Sequence, residues 1–65
     1  MKVQYFAQTD TLLIEFRDSP SVETRDLDEY TIIDVDAEGI ICAMTVEHAS
    51  QRAGAPHFTY EEVAA

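Results

Sequence analysis

Three carboxylates at alternate positions, followed by a glycine, open the stretch DVDAEG: Asp34, Asp36, Glu38 and then Gly39. That is the opening spacing of a calcium-binding loop, whose oxygens at positions one, three and five face a common centre and whose glycine at position six makes the sharp bend. The pattern then needs a bidentate glutamate at position twelve and helices on either side. Position twelve here is Thr45 and position nine is Cys42, while the flanks YTIIDV and IICAMT are rich in β-branched residues that favour strands. A β-hairpin accounts for the same residues more fully, with a turn through 36–39 and Gly39 supplying the positive φ that such loops commonly require. Because alternate residues of a strand lie about 7 Å apart on one face, a low-affinity divalent-cation site built from Asp34, Asp36 and Glu38 stands as the alternative functional expectation.

Nucleophilic chemistry is harder to assemble. Cys42 and His48 share a strand face, but six residues at about 3.3 Å each separate them by roughly 20 Å, too far for a base to activate a thiol within one chain. Cys42, between Ile41 and Ala43, reads as a small buried hydrophobe, and His48 and His57 as surface or packing residues. Ser19, Ser21 and Ser50 sit in no glycine-rich elbow. Gly39 and Gly54 are the only glycines, which leaves no phosphate-cradling loop. No cysteine and histidine cluster has zinc-ligand spacing. The expectation is a non-catalytic protein without a cofactor.

Charge points to a partner class. Thirteen acidic residues stand against Lys2, Arg17, Arg25 and Arg52 in 65 residues, a formal net charge of -9. Such a field repels phosphate backbones and anionic lipid, so neither nucleic acid nor a membrane is an expected partner, and a basic protein is. The acidic excess is concentrated between Glu23 and Glu38, where Arg25 is the one base. An edge segment carrying Glu23, Asp26, Asp28 and Glu29 would offer such a partner both charge and unpaired backbone groups. The plainer reading of the same residues is a solvated face that keeps a small protein soluble. A single cysteine, and an N-terminus MKVQYFAQTD without a long apolar run, fit a reducing cytoplasm.

The elements that must position these residues are short strands. Residues 2–6 (KVQYF) and 11–17 (TLLIEFR) alternate apolar and polar positions and read as a hairpin around a turn at 7–10. The proline in DSP ends the second strand. Residues 21–27 alternate weakly and carry charge, as a protected edge strand does. Residues 30–35 and 40–47 read as the two strands of the hairpin around Gly39. One helical turn is expected at 49–53, broken by GAP at 54–56. Thr59 and Glu62 have capping-box spacing, with Phe58 and Val63 placed as a hydrophobic staple, so a short helix after Thr59 or a frayed tail is expected there.

The fold class that follows is mainly β, α+β at most. It is a small antiparallel β-meander of four to five strands over residues 1–52, with a short C-terminal helical element and an extension at 53–65. Its apolar face would carry Val3, Tyr5, Leu12, Ile14, Phe16, Ile33, Val35, Cys42, Met44 and Val46. A single sheet with one apolar face and so small a cover predicts a homodimer or higher homo-oligomer.

The segments VQYFAQTDTLLIEF and VETRDLDEYTIIDVDAEGIICAMTVEHAS, in this order and at this overall length, resemble the small bacterial domain-of-unknown-function family 2283. Tyr5, Asp10, Glu23, Asp34, Asp36, Gly39, Ala49 and Ser50 hold the places of that family's pattern, whereas Phe6 and Ala7 depart from its more usual aspartate and proline. The resemblance covers about residues 1 to 52 and implies no established activity. The occurrence of some members beside small toxin-like proteins implies an antitoxin-like role for an acidic interaction module. The functional expectation is therefore a non-catalytic acidic protein-interaction module that binds a basic protein.

Overall fold

The computed structural model describes residues 1–64; Ala65, the end of the expected C-terminal extension, lies outside the described residues. Five strands and one short helix follow in order: β1 (Lys2–Phe6), β2 (Thr11–Glu15), β3 (Glu23–Asp28), β4 (Thr31–Val35), β5 (Ile41–Glu47) and α1 (Ala49–Ala53). All strand pairs are antiparallel. The fold is mostly β, with a short helix after residue 48, as the alternation and turn chemistry predict.

The order across the sheet is β1-β2-β5-β4-β3, so the strands do not succeed one another as in a simple meander. Strand β5 inserts between β2 and β4. Its face residues explain the choice: Leu12 and Ile14 of β2 stand opposite Val46 and Met44, and on the other side Met44 stands opposite Ile33 of β4. A sequential order would set β2 beside β3, whose six residues are all exposed and mostly polar or charged, and would leave those apolar side chains without partners. The β2–β3 connection consequently passes the ends of β5 and β4. Phe16 and Arg17 donate their backbone N–H groups to the Cys42 carbonyl at 2.7 and 3.3 Å, and Val22 donates to the Val35 carbonyl at 2.9 Å.

Register places the expected apolar residues on one face, because directly opposed residues point the same way. Val3, Ile14, Met44 and Ile33 form one row across four strands, and Tyr5, Leu12, Val46 and Thr31 the next. Ile33, Val35, Cys42, Ala49 and Ala55 are buried, and Val35 is the largest side chain to be almost fully enclosed. The opposite face carries a shorter apolar strip, in which Leu13 and Ile32 are half-buried among Gln4, Thr45 and Asp26.

The helix α1 starts at His48, which adopts a left-handed backbone (φ 54°), and ends at Gly54 (φ 73°), whose N–H returns to the Ala49 carbonyl. Glycine takes that conformation at no steric cost. Beyond it the chain crosses the apolar face beside β1 and β2. There Val3, Leu12 and Ile14 meet Ala55, Pro56 and Phe58 around a shallow groove of about 120 Å³. Residues 57–64 are neither helix nor strand, which corrects the helix expected after Thr59. The staple residues Phe58 and Val63 are 69% and 71% exposed, and a stub of that length with only Phe58 at the groove does not offset the cost of nucleating a helix.

The result is a plate of 35 × 32 × 18 Å with a radius of gyration of 12.8 Å, against about 11 Å for a compact chain of this length.

Candidate functional site

Strand β3 forms one edge of the sheet, and every one of its residues is exposed. Its register against β4 divides the charges between the two faces. Glu23 and Arg25 stand opposite Val35 and Ile33 on the apolar face, while Thr24 and Asp26 stand opposite Asp34 and Ile32 on the other. A bulge between Asp26 and Asp28 leaves Leu27 unopposed and brings Asp28 opposite Thr31. An extra residue of this kind increases local twist and discourages continued pairing along the edge.

The four carboxylates expected to meet a partner do not have equal standing. Glu23 accepts from the Arg25 Nε at 3.0 Å, and this neighbour holds its carboxyl below the usual range. Asp28 accepts from the Tyr30 backbone N–H at 2.9 Å and from Arg52 Nη2 at 2.9 Å. The Tyr30 N–H is the chief reason its carboxyl lies below the usual range. Arg52 also donates to the Thr31 hydroxyl at 2.8 Å and lies 5.9 Å from the centroid of the Tyr30 ring, and that ring meets His48 edge-on at 4.6 Å. Asp28 thus ties β3 to α1 through Arg52. Asp26 and Glu29 make no ion pair or side-chain hydrogen bond among the described residues, so their charge is directed outward.

The opening carboxylates of the hairpin are engaged separately. Asp34 accepts from the Thr24 hydroxyl at 2.7 Å. Asp36 accepts from the backbone N–H groups of Glu38 and Ile40 at 2.9 and 3.0 Å and lies 3.7 Å from Arg17. The Ile40 N–H is the main cause of its lowered pKa. Gly39 has φ 82°, as the turn requires. Asp36 therefore closes the hairpin from within. Among the described residues no group of three or more His, Cys, Asp or Glu side chains converges as a metal site would.

At the opposite end of the sheet Asp10 gathers a second set of ties. Itself left-handed at φ 52°, it accepts from the Tyr5 hydroxyl at 2.7 Å, from the Ser50 backbone N–H at 3.0 Å and from the Ser50 hydroxyl at 2.8 Å. Its carbonyl accepts from the Ala49 N–H at 2.9 Å. The Tyr5 hydroxyl, then Ser50, hold the Asp10 carboxyl below the usual range, and the same bond raises the Tyr5 pKa. The cluster fastens the β1–β2 turn to the start of α1. Cys42 is buried, and burial, then Asp36, push its thiol pKa up, the reverse of what a nucleophile needs.

The family model for proteins of unknown function, DUF2283, matches residues 2–50. The chain belongs to the DUF2283 family. Neither a curated protein nor a solved structure matches it. In this DUF2283 chain the matched segment holds all five strands and ends inside α1. The eight residues that carried the resemblance fall into two groups in space. Tyr5, Asp10, Ala49 and Ser50 make the ties at one end; Glu23, Asp34, Asp36 and Gly39 lie around the β3–β4 pairing and the β4–β5 turn at the other. Both groups serve the fold. Sequence reasoning missed Arg52, the residue that joins Asp28, Thr31 and Tyr30. Its one signal was a base in a helical turn close to an otherwise uncompensated acidic run. No helix among the described residues is long and apolar enough to cross a membrane.

Proposed function

We propose that this DUF2283 protein is a non-catalytic interaction module that presents the edge strand β3 to a basic segment of another protein. The observation that carries the reading is the outward charge of that edge: six exposed residues in a strand with one unpaired side, with Asp26 and, just after the strand, Glu29 in no ion pair or side-chain hydrogen bond among the described residues. An extended segment laid along Glu23–Asp26, ahead of the bulge, would gain main-chain hydrogen bonds. Because Glu23 and Asp26 stand three positions apart on opposite faces, lysines or arginines three positions apart on that segment would each meet a carboxylate. The net charge of -9 would steer a basic partner and raise its association rate. An antitoxin-like role, with a small basic protein as the partner, is one form of this reading.

The test is recovery of partners from the native host by the tagged protein, compared with the Asp26→Asn, Glu29→Gln double variant. That variant spares the Asp28–Arg52 tie and the Glu23–Arg25 pair. Loss of the partners recovered by the unaltered chain is the expected result. Equal recovery by both would overturn the acidic-edge reading.

A further inference from the structure

The sheet has two edges, and they are built differently. Strand β3 carries Glu23, Asp26 and Asp28 and a bulge, the devices by which an edge repels a second copy of itself. Strand β1 has no acid and no bulge, and its one charge is Lys2 at the first position. Its five residues KVQYF contain no acidic residue and no proline, and they pair with β2 in unbroken register.

We propose that β1 is the edge through which two copies of this chain join, antiparallel about a two-fold axis, into one continuous sheet. The inference concerns the edge opposite β3 and is independent of the reading above. Pairing centred on Gln4 sets Lys2 opposite Phe6 of the second copy and Val3 opposite its Tyr5, so no like charges meet. The same operation centred on Asp26 of β3 would set that carboxylate against its own copy.

Apolar side chains flank β1 on both sides of the sheet. Val3 is 39% exposed and Phe58 69% on the grooved face, and Phe6 is 46% exposed on the other. A second copy at this edge would cover them together with the backbone groups.

Sedimentation of the purified chain at roughly 100 µM should give twice the 7.3 kDa of the chain. In a Cys42→Ala background, Gln4→Cys should oxidise to a covalent dimer, since opposed Cα atoms in an antiparallel pair lie within disulfide reach. Asp26→Cys on the far edge should not. Gln4→Glu, which brings two carboxylates face to face at the seam, should shift the dimer to monomer while circular dichroism stays unchanged. A monomeric unaltered chain would overturn the proposal, as would a dimer that crosslinks through Asp26→Cys alone, or one indifferent to Gln4→Glu.

Discussion

Ile32 and Ile33 are neighbours of identical chemistry in the same strand, and they should respond very differently to the same truncation. Ile33 is 6% exposed and sits between Met44 and Arg25 on the apolar face. Ile32 points to the other face between Thr45 and Asp26 and is only half-buried. Removing one buried methylene costs about 1 kcal/mol at a site that cannot collapse, and truncation to alanine about 2 to 5 kcal/mol. A 65-residue domain has about 3 to 10 kcal/mol in total, so Ile33→Ala would remove much or all of it, and Ile33→Val is the measurable change. With a urea dependence of about 1 kcal/mol per molar, Ile33→Val should lower the unfolding midpoint by about 1 M. Ile32→Val should lower it by about half of that or less, because the lost contact is partly with water already. The assay is equilibrium unfolding in urea followed by circular dichroism at fixed protein concentration. Equal midpoints for the two variants would refute the one-sided core, and with it the assignment of faces.

Asp10→Asn should flatten the acid limb of the melting curve. The carboxyl is held below its ordinary value in the folded chain, so its contribution is full above the unfolded pKa and is lost as pH falls below about 4 through the lowered folded value. Melting temperatures from pH 7 down to pH 2 for both proteins check this, and parallel curves would contradict it. Gly39→Ala should cost about 1 kcal/mol through backbone strain alone, since φ is 82° and an added Cβ meets nothing within 4 Å; Gly39→Asn should cost less, read from the same urea curves. Native Cys42, buried and with its pKa raised, should resist a thiol reagent at pH 8 and react at once when the protein is unfolded.

What the sequence disclosed depended on the range of the interaction. Alternation put Val3, Leu12, Ile14, Ile33 and Met44 on one face, and turn chemistry at Gly39 and Gly54 located the hairpin and the end of α1, because those signals are local. The insertion of β5 between β2 and β4 was not legible, since it follows from matching Leu12 and Ile14 to Val46 and Met44 over thirty or more positions. Asp28 and Glu23 read as two members of one acidic run. Their ties to Arg52, 24 positions away, and to Arg25 separate them from Asp26 and Glu29. The capping-box spacing at Thr59 and Glu62 was a true local pattern, but Tyr60 and Val63 stay 85% and 71% exposed, too little burial to sustain a helix.

Whether β3 is a binding edge and not only a solvated one is tested most directly by amide shifts of the isotope-labelled chain, titrated with the partner recovered from the host. The largest changes should fall on residues 23–29 and shrink as salt rises, screening acting within about 8 Å at physiological ionic strength. Changes confined to β1 and the groove beside Val3, with residues 23–29 unmoved, would contradict it.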